Sequence, residues 1–211
     1  MSEKQLLTLF PEAVYTNVLE HIGDDDLNNI LETTRKLEYV KSGHFNRQIN
    51  SSSSNELYLF DKPEYKLLAD KIMDEFNEFK DDTLRFFGNK FIYTTSWATK
   101  TEPGESSEWH NHHNCFYSGI FYLKTDEDCG NLLFQNFKTT NISLKPSDYN
   151  EYNSTSWQIK PKNKMLVLFP SHLYHKIGIN QNRNICRYSL AFNFMPVGKI
   201  GVGDSQLILD M

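Results

Sequence analysis

Two short windows concentrate the residues of this chain best suited to metal chemistry: Glu108-Trp109-His110-Asn111-His112-His113-Asn114 and Phe169-Pro170-Ser171-His172-Leu173-Tyr174-His175. Five of the seven histidines lie in them, which sets a built site against a chance scatter of imidazoles. Side chains at i and i+2 of a β-strand point to the same face. A strand over 108–114 therefore places His110, His112 and Asn114 on one side, and Trp109, Asn111 and His113 on the other. Two imidazoles on one face, joined by a third from a later strand, make a three-ligand site with positions left open for other ligands. A histidine-rich polar edge without any metal uses the same residues, and at this point both readings stand.

A second pattern asks for a wet interior. Over 187–194, Tyr188, Leu190, Phe192 and Phe194 alternate strictly with Arg187, Ser189, Ala191 and Asn193, giving one apolar face and one small or polar face. If that second face lines a cavity holding a metal and an anion, Arg187 at its mouth suits a bidentate carboxylate contact and Ser189 adds a hydroxyl. The commoner fate of an arginine is a surface ion pair.

The elements that must position these residues follow from the rest of the chain. Its 211 residues suffice for one domain with a substantial core. A formal charge of -5 excludes a non-specific nucleic-acid grip, which needs clustered Lys and Arg. Three cysteines, Cys115, Cys129 and Cys186, form no C-x-x-C pair and suggest neither a disulfide framework nor a thiolate zinc site, so a reducing cytoplasm is expected. No apolar run reaches the roughly 18 residues of a membrane span, and no membrane association is expected.

From the N-terminus, Leu6 to Pro11 and Val14-Tyr15 read as an extended edge segment. Asp24 to Asp26 offer N-cap oxygens to a first helix, with Leu27, Ile30, Leu31 and Thr34 at helical spacing. The polar stretch 40–55 reads as a mobile surface loop. A second helix follows Asp61, with Pro63 in its first turn, a stripe of Leu68, Ile72, Phe76 and Phe79, and Gly88 as its stop. Strands are then expected at 91–98, 108–114, 116–123, 131–137, 156–159, 165–169, 175–179 and 187–194, with a weak one at 206–209. About eight short strands without intervening helices predict a sandwich or barrel of jelly-roll type. The chain is thus α+β, a single domain over 1–211 with supporting helices in 1–88, a strand-rich core in 89–196 and a tail from 197.

The ordered run of His110-x-His112, Ser118-Gly119-Ile120-Phe121-Tyr122-Leu123, Gly130-Asn131-Leu132, Pro161, the Phe169 to His175 window and Arg187-x-Ser189 resembles the iron(II)- and 2-oxoglutarate-dependent oxygenases. The likeness is greatest to small members from marine bacteria and phages, which also begin with a segment like Leu9-Phe10-Pro11. It covers about Phe91 to Phe194 well and the helices only loosely.

That resemblance implies a double-stranded β-helix, or jelly-roll barrel, with Fe(II) near its open end and 2-oxoglutarate and O2 as co-substrates. Its ligand pattern, matched residue by residue, gives His110, His112 and His175, with His112 standing where a carboxylate is usual. His113 has the wrong strand parity. His172 competes with His175, but His175 has nearly the family's spacing to Arg187. By the same resemblance Arg187 binds the distal carboxylate of 2-oxoglutarate, Tyr122 matches a tyrosine that contacts it in prolyl hydroxylases, and Asn193 faces the metal pocket without a known role. The prime substrate, a small molecule or a peptide, stays open, as does the oligomeric state, a homodimer included. Two rival readings are a cupin-like three-histidine metalloenzyme that does not use 2-oxoglutarate, and a non-catalytic jelly-roll binding module.

Overall fold

The computed structural model describes residues 3–41, 50–53, 56–86, 88–136, 142 and 144–210. The elements in chain order are β1 (Tyr15–Val18), α1 (Asp24–Arg35), β2 (Tyr39–Lys41), β3 (Asn50–Ser52), α2 (Pro63–Phe79), β4 (Lys90–Thr101), β5 (Tyr117–Lys124), β6 (Leu132–Gln135), β7 (Ser156–Ile159), β8 (Met165–Pro170), β9 (His175–Ile177), β10 (Arg187–Ile200) and β11 (Leu207–Leu209). Strands β1-β8-β5-β10-β4-β3-β2 form a large sheet in that order, with β11 paired to β10, and β7-β6-β9 form a small one. The expected jelly-roll strands are therefore present except the one at 108–114, and the large sheet, of eight strands, is not closed.

The alternation along β10 decides what lies on each face of the large sheet. Tyr188, Leu190, Phe192 and Phe194 enter the main core with Tyr117, Phe121 and Leu123 of β5, Leu166 and Leu168 of β8, and the apolar stripes of both helices. Phe76 of α2 stacks on Phe194 with ring centroids 4.0 Å apart. Each fully buried side chain of this kind contributes about 1.5–3 kcal/mol of transfer free energy, so the helices are held by their buried apolar stripes, aliphatic in α1 and partly aromatic in α2, as their spacing predicts. Gly119 is opposite Phe192 in the ladder. A Cβ there would lie 2.3 Å from the Phe192 ring, so only glycine leaves that ring its place. The other face of the sheet meets a smaller cluster, Ile120, Tyr122, Leu132, Phe134, Val167 and Phe169, which fills the space toward the small sheet.

Several local expectations change. Gly23, not an aspartate, caps α1, with no side-chain cap bond. Asp24, Asp25 and Asp26 instead occupy the first turn, where they complement the helix dipole. After α2 a π-turn, Lys80–Leu84, ends at Arg85 in the left-handed region (φ 58°), so the helical run stops before Gly88. The stretch 40–55 contains β2 and β3, which extend the large sheet beside β4, so it is not simply a loop; residues 42–49, 54 and 55 lie outside the described residues. The strand expected at 108–114 does not form. His110 makes a single bridge to His175, while the His112 amide donates to Ser171 O (2.9 Å). The chain opposite bulges outward between those two contacts, and no regular ladder is available to the segment.

Candidate metal centre and co-substrate pocket

The bulge between Ser171 and His175 sorts the histidines. His172 is thrown to the surface, where its Nε2 lies 3.0 Å from Glu12 Oε1, and His113 is exposed. His110 and His175 are tied together by reciprocal backbone bonds, His110 N to His175 O at 3.0 Å and His175 N to His110 O at 2.8 Å. The three side chains His110, His112 and His175 converge, with one ligand atom from each lying within 4.8 Å of the others. Their ring centroids are 4.3 Å (His110 to His175), 5.0 Å (His112 to His175) and 5.5 Å (His110 to His112) apart. Such a cluster could hold a divalent cation.

The chemistry of the donor atoms fits that role. His110 Nδ1 meets Glu108 O at 2.8 Å and His175 Nδ1 meets Leu173 O at 2.9 Å. A carbonyl oxygen only accepts, so in both rings Nδ1 carries the proton and Nε2 presents its lone pair. His112 Nδ1 meets Asn193 Oδ1 at 2.7 Å and Ser118 Oγ at 2.9 Å, with the same outcome. Burial pulls the pKa of His112 down to about 4, helped by the neighbouring His110 and His113 and opposed by the bond to Asn193. Burial, followed by the charge of His110, takes His175 to about 3. Both rings are neutral near pH 7, the form that ligates a metal.

The inward rows of three adjacent strands run from this cluster to a buried cation. In the ladder, Asn193, Ala191 and Ser189 of β10 face Ser118, Ile120 and Tyr122 of β5, and Thr95, Trp97 and Thr99 of β4 on the other side, where Arg187 is opposite Thr101. A cavity of about 310 Å³ is lined by His110, His112, His175, Ile120, Thr99, Ser189 and Ala191. Trp97, Trp109, Glu108 and Ser51 line it as well, Ser51 coming from β3. Ser189 Oγ shares a 2.7 Å hydrogen bond with Thr99 Oγ1.

Arg187 is not at the mouth. It is wholly buried (0% exposed), and its guanidinium donates to Cys129 O (3.2 Å), Gly130 O (2.9 Å) and Thr101 Oγ1 (3.0 Å), all neutral acceptors. Among the described residues no carboxylate pairs with it, its Nε has no partner, and neither has the hydroxyl of Tyr122, whose ring centroid is 5.8 Å from the guanidinium carbon. Desolvation lowers the guanidinium pKa from its ordinary value, yet arginine stays protonated in proteins. A buried charge without a counter-ion is costly, and an anionic ligand would supply what the fold omits. Both orphaned polar atoms thus fit the carboxylate of an acid bound beside them.

Residues 95–193, which span all of these rows, match the family model described as "Putative 2OG-Fe(II) oxygenase". This segment belongs to the 2OG-Fe(II) oxygenase family. No curated protein matches the chain by sequence. Among solved structures, HygX from Streptomyces hygroscopicus, with nickel and 2-oxoglutarate bound, aligns over 88% of this chain and 83% of its own with TM-score 0.62 and 12% identity. A prolyl-4-hydroxylase from Pseudomonas putida aligns over 89% and 94% with TM-score 0.58 and 14% identity. The alpha-ketoglutarate-dependent epimerase SnoN of nogalamycin biosynthesis aligns over 89% and 77% with TM-score 0.66 and 12% identity. At these identities the structural likeness establishes the jelly-roll fold of the oxygenase segment. Fe(II), 2-oxoglutarate and O2 are the reactants that family uses.

Thr95, Thr99, Thr101, Ser118 and Ser171 are the site-forming residues that the histidine and arginine patterns did not single out. A signal for three of them exists in Thr95-x-Trp97-x-Thr99-x-Thr101, a period-2 row of the kind read on β10.

Proposed function

We propose that the chain is an iron(II)- and 2-oxoglutarate-dependent oxygenase in which His110, His112 and His175 hold the metal and Arg187 takes the distal carboxylate of 2-oxoglutarate. The observation that carries this reading is Arg187: a fully buried cation with neutral partners only, on the same strand face as Ser189 and Ala191 of the cavity wall. Tyr122 supplies a hydroxyl to the same carboxylate, and Ser189, held by Thr99, lines the passage between the two ends.

Iron(II) and 2-oxoglutarate, when bound, supply oxygen activation coupled to loss of carbon dioxide and formation of succinate. The chain's own residues prepare that chemistry. His112 and His175 are held neutral by burial, and the Nδ1 of each of the three imidazoles is anchored, which leaves Nε2 to face a metal. Ile120, Val167 and Phe169 keep the inner wall apolar, which strengthens the attraction between Arg187 and its anion. The prime substrate, a small molecule or a peptide, would enter past Trp97, Trp109 and Glu108, beside Ser51 of the added β2-β3 hairpin.

The test is an anaerobic titration with iron(II) and then 2-oxoglutarate, followed by the visible charge-transfer band of the chelate, with succinate measured on admitting oxygen. The expected result is a band that saturates with one equivalent of each. Iron binding without the band, or oxygen consumption without succinate, would move the chain to the cupin-like reading.

A further inference from the structure

The three imidazoles do not have their tautomers fixed in the same way. For His110 and His175 the acceptor at Nδ1 is a backbone carbonyl, of Glu108 and Leu173. For His112 it is a pair of side chains, Asn193 and Ser118. His112 is thus the one member of the cluster whose proton position is written in side chains, and it is also the residue that replaces the family's usual carboxylate.

The direction of the amide is set from behind. Asn193 Nδ2 donates to Thr95 Oγ1 at 2.9 Å, which leaves Oδ1 facing His112. Ser118 Oγ donates to the same Oδ1 at 2.7 Å and is itself 2.8 Å from Ser171 Oγ. Ser171 O in turn accepts the His112 backbone amide at 2.9 Å. Thr95, Ser118 and Asn193 come from the adjacent strands β4, β5 and β10, and Ser171 directly follows β8, the next strand in the sheet. Ser118 is 0%, Ser171 1% and Asn193 8% exposed, so water does not compete for these atoms. Turned about its terminal bond, the Asn193 amide would put an N–H against His112 Nδ1. The ring would then carry its proton on Nε2 and could not ligate through that atom.

We propose that Asn193, oriented by Thr95 and Ser118, is a positioning residue that makes position 112 a metal ligand by holding the His112 proton on Nδ1 and turning Nε2 toward His110 and His175. This rests on the reading of His112 as a ligand. It assigns the polar end of β10 a task distinct from that of Arg187 at the other end, and it uses a neutral amide. The three rings and their acceptors therefore bring no negative charge to the cation, unlike a site that includes a carboxylate.

The experiment is Co(II) binding to the full chain, read by its visible d–d bands, in the wild type and in Asn193→Ala, Asn193→Asp, His112→Ala and the double variant His112→Ala/Asn193→Ala. Outer partners of ligating histidines typically hold about 10- to 100-fold in metal affinity, and Asn193→Ala is expected to weaken Co(II) binding by that range. Asn193→Asp keeps the shape and the acceptor oxygen, and should bind at least as tightly as the wild type. In the His112→Ala background the Asn193→Ala change should have no further effect, because its only route to the metal is gone. Wild-type affinity in Asn193→Ala, failure of Asn193→Asp to restore binding, or an undiminished effect without His112 would each overturn the proposal. Should Asn193→Ala not fold, Asn193→Ser, which lacks the reach to His112, takes its place with the same expectations. A wild type that shows no Co(II) bands removes the ligand reading itself, whereas bands with no dependence on Asn193 remove only this inference.

Discussion

His110 and His175 exchange both of their backbone hydrogen bonds, at 3.0 and 2.8 Å, although 64 residues of chain lie between them. The backbones that carry two of the proposed ligands are thereby fixed to each other, and each ring is also locked by its own Nδ1 contact. Preorganisation of this kind favours binding because little ordering remains to be done. His110→Ala and His175→Ala should each lose more metal affinity than the roughly 10- to 100-fold typical of an outer-shell change. Calorimetric titration with Ni(II) checks this. Comparable affinity in either variant would mean that the cluster is not the metal site.

Arg187 offers a prediction in which stability and function part. Removing a buried, uncompensated charge is neutral or stabilising, so Arg187→Met should leave the melting temperature of the metal-free protein unchanged or higher. Its affinity for 2-oxoglutarate should fall by about 2–5 kcal/mol, or roughly 30- to 5,000-fold. Tyr122→Phe removes one neutral donor, a smaller loss of about 0.5–1.5 kcal/mol, or roughly 2- to 13-fold. The shift of melting temperature with added 2-oxoglutarate reads both. A normal shift in Arg187→Met would place the co-substrate elsewhere.

The residues proposed to bind metal and co-substrate were easier to read than the residues that hold them. Alternation along 187–194 identified both faces of β10, because sheet pleat forces period 2 whatever the tertiary partners are. The stripe Leu68, Ile72, Phe76 and Phe79 gave α2 for the corresponding reason at helical period. Strand parity grouped His110 with His112 and set aside His113, although no regular strand forms there. The pairing survives because the amides of His110 and His112 find partners at His175 and Ser171 on one neighbouring segment. Neither contact leaves a local trace. The same holds for Asn193, 81 residues from His112, and for the neutral acceptors around Arg187, where the two carbonyls have no side-chain signature at all. The β2-β3 pair was missed because strands of only three residues carry too little alternation to register.

Gly119 tests the packing between the sheet and the helices. A Cβ at this position would approach Phe192 at 2.3–2.4 Å and Leu168 at 2.9 Å, both in the main core. Overpacking of a filled core costs about 1–3 kcal/mol, and for a chain of this size each kcal/mol lowers the melting temperature by roughly 2–4 °C. Gly119→Ala should therefore melt several degrees below the wild type. The added methyl faces away from Ser118 and the histidine cluster, so the loss should appear in stability first and in metal affinity little. Chemical denaturation beside the Ni(II) titration separates the two. An unchanged midpoint would show that the ring of Phe192 can move aside.

The acid limb of stability follows from the two depressed imidazoles. His112 titrates at about 4 and His175 at about 3 in the folded protein, against 6.5 for an ordinary histidine. Between those values the unfolded chain binds more protons than the folded one, so unfolding free energy rises with pH across that window. The metal-free protein should be at full strength above about pH 6.5 with respect to these groups. It should weaken as pH falls toward 4, and the His175 contribution should continue to fade to about 3. Bound metal adds to the slope, because protons and metal compete for the same Nε2 atoms. Melting temperatures measured from pH 7.5 to 4 in chelator check the first effect, and the same series with Ni(II) checks the second. In chelator, a His112→Gln/His175→Gln variant should lose much of the decline below pH 6.5, since neither replacement can take up a proton there. A decline equally steep in wild type and variant would trace the acid sensitivity to other groups and leave the cluster without the buried, neutral character that its hydrogen bonds describe.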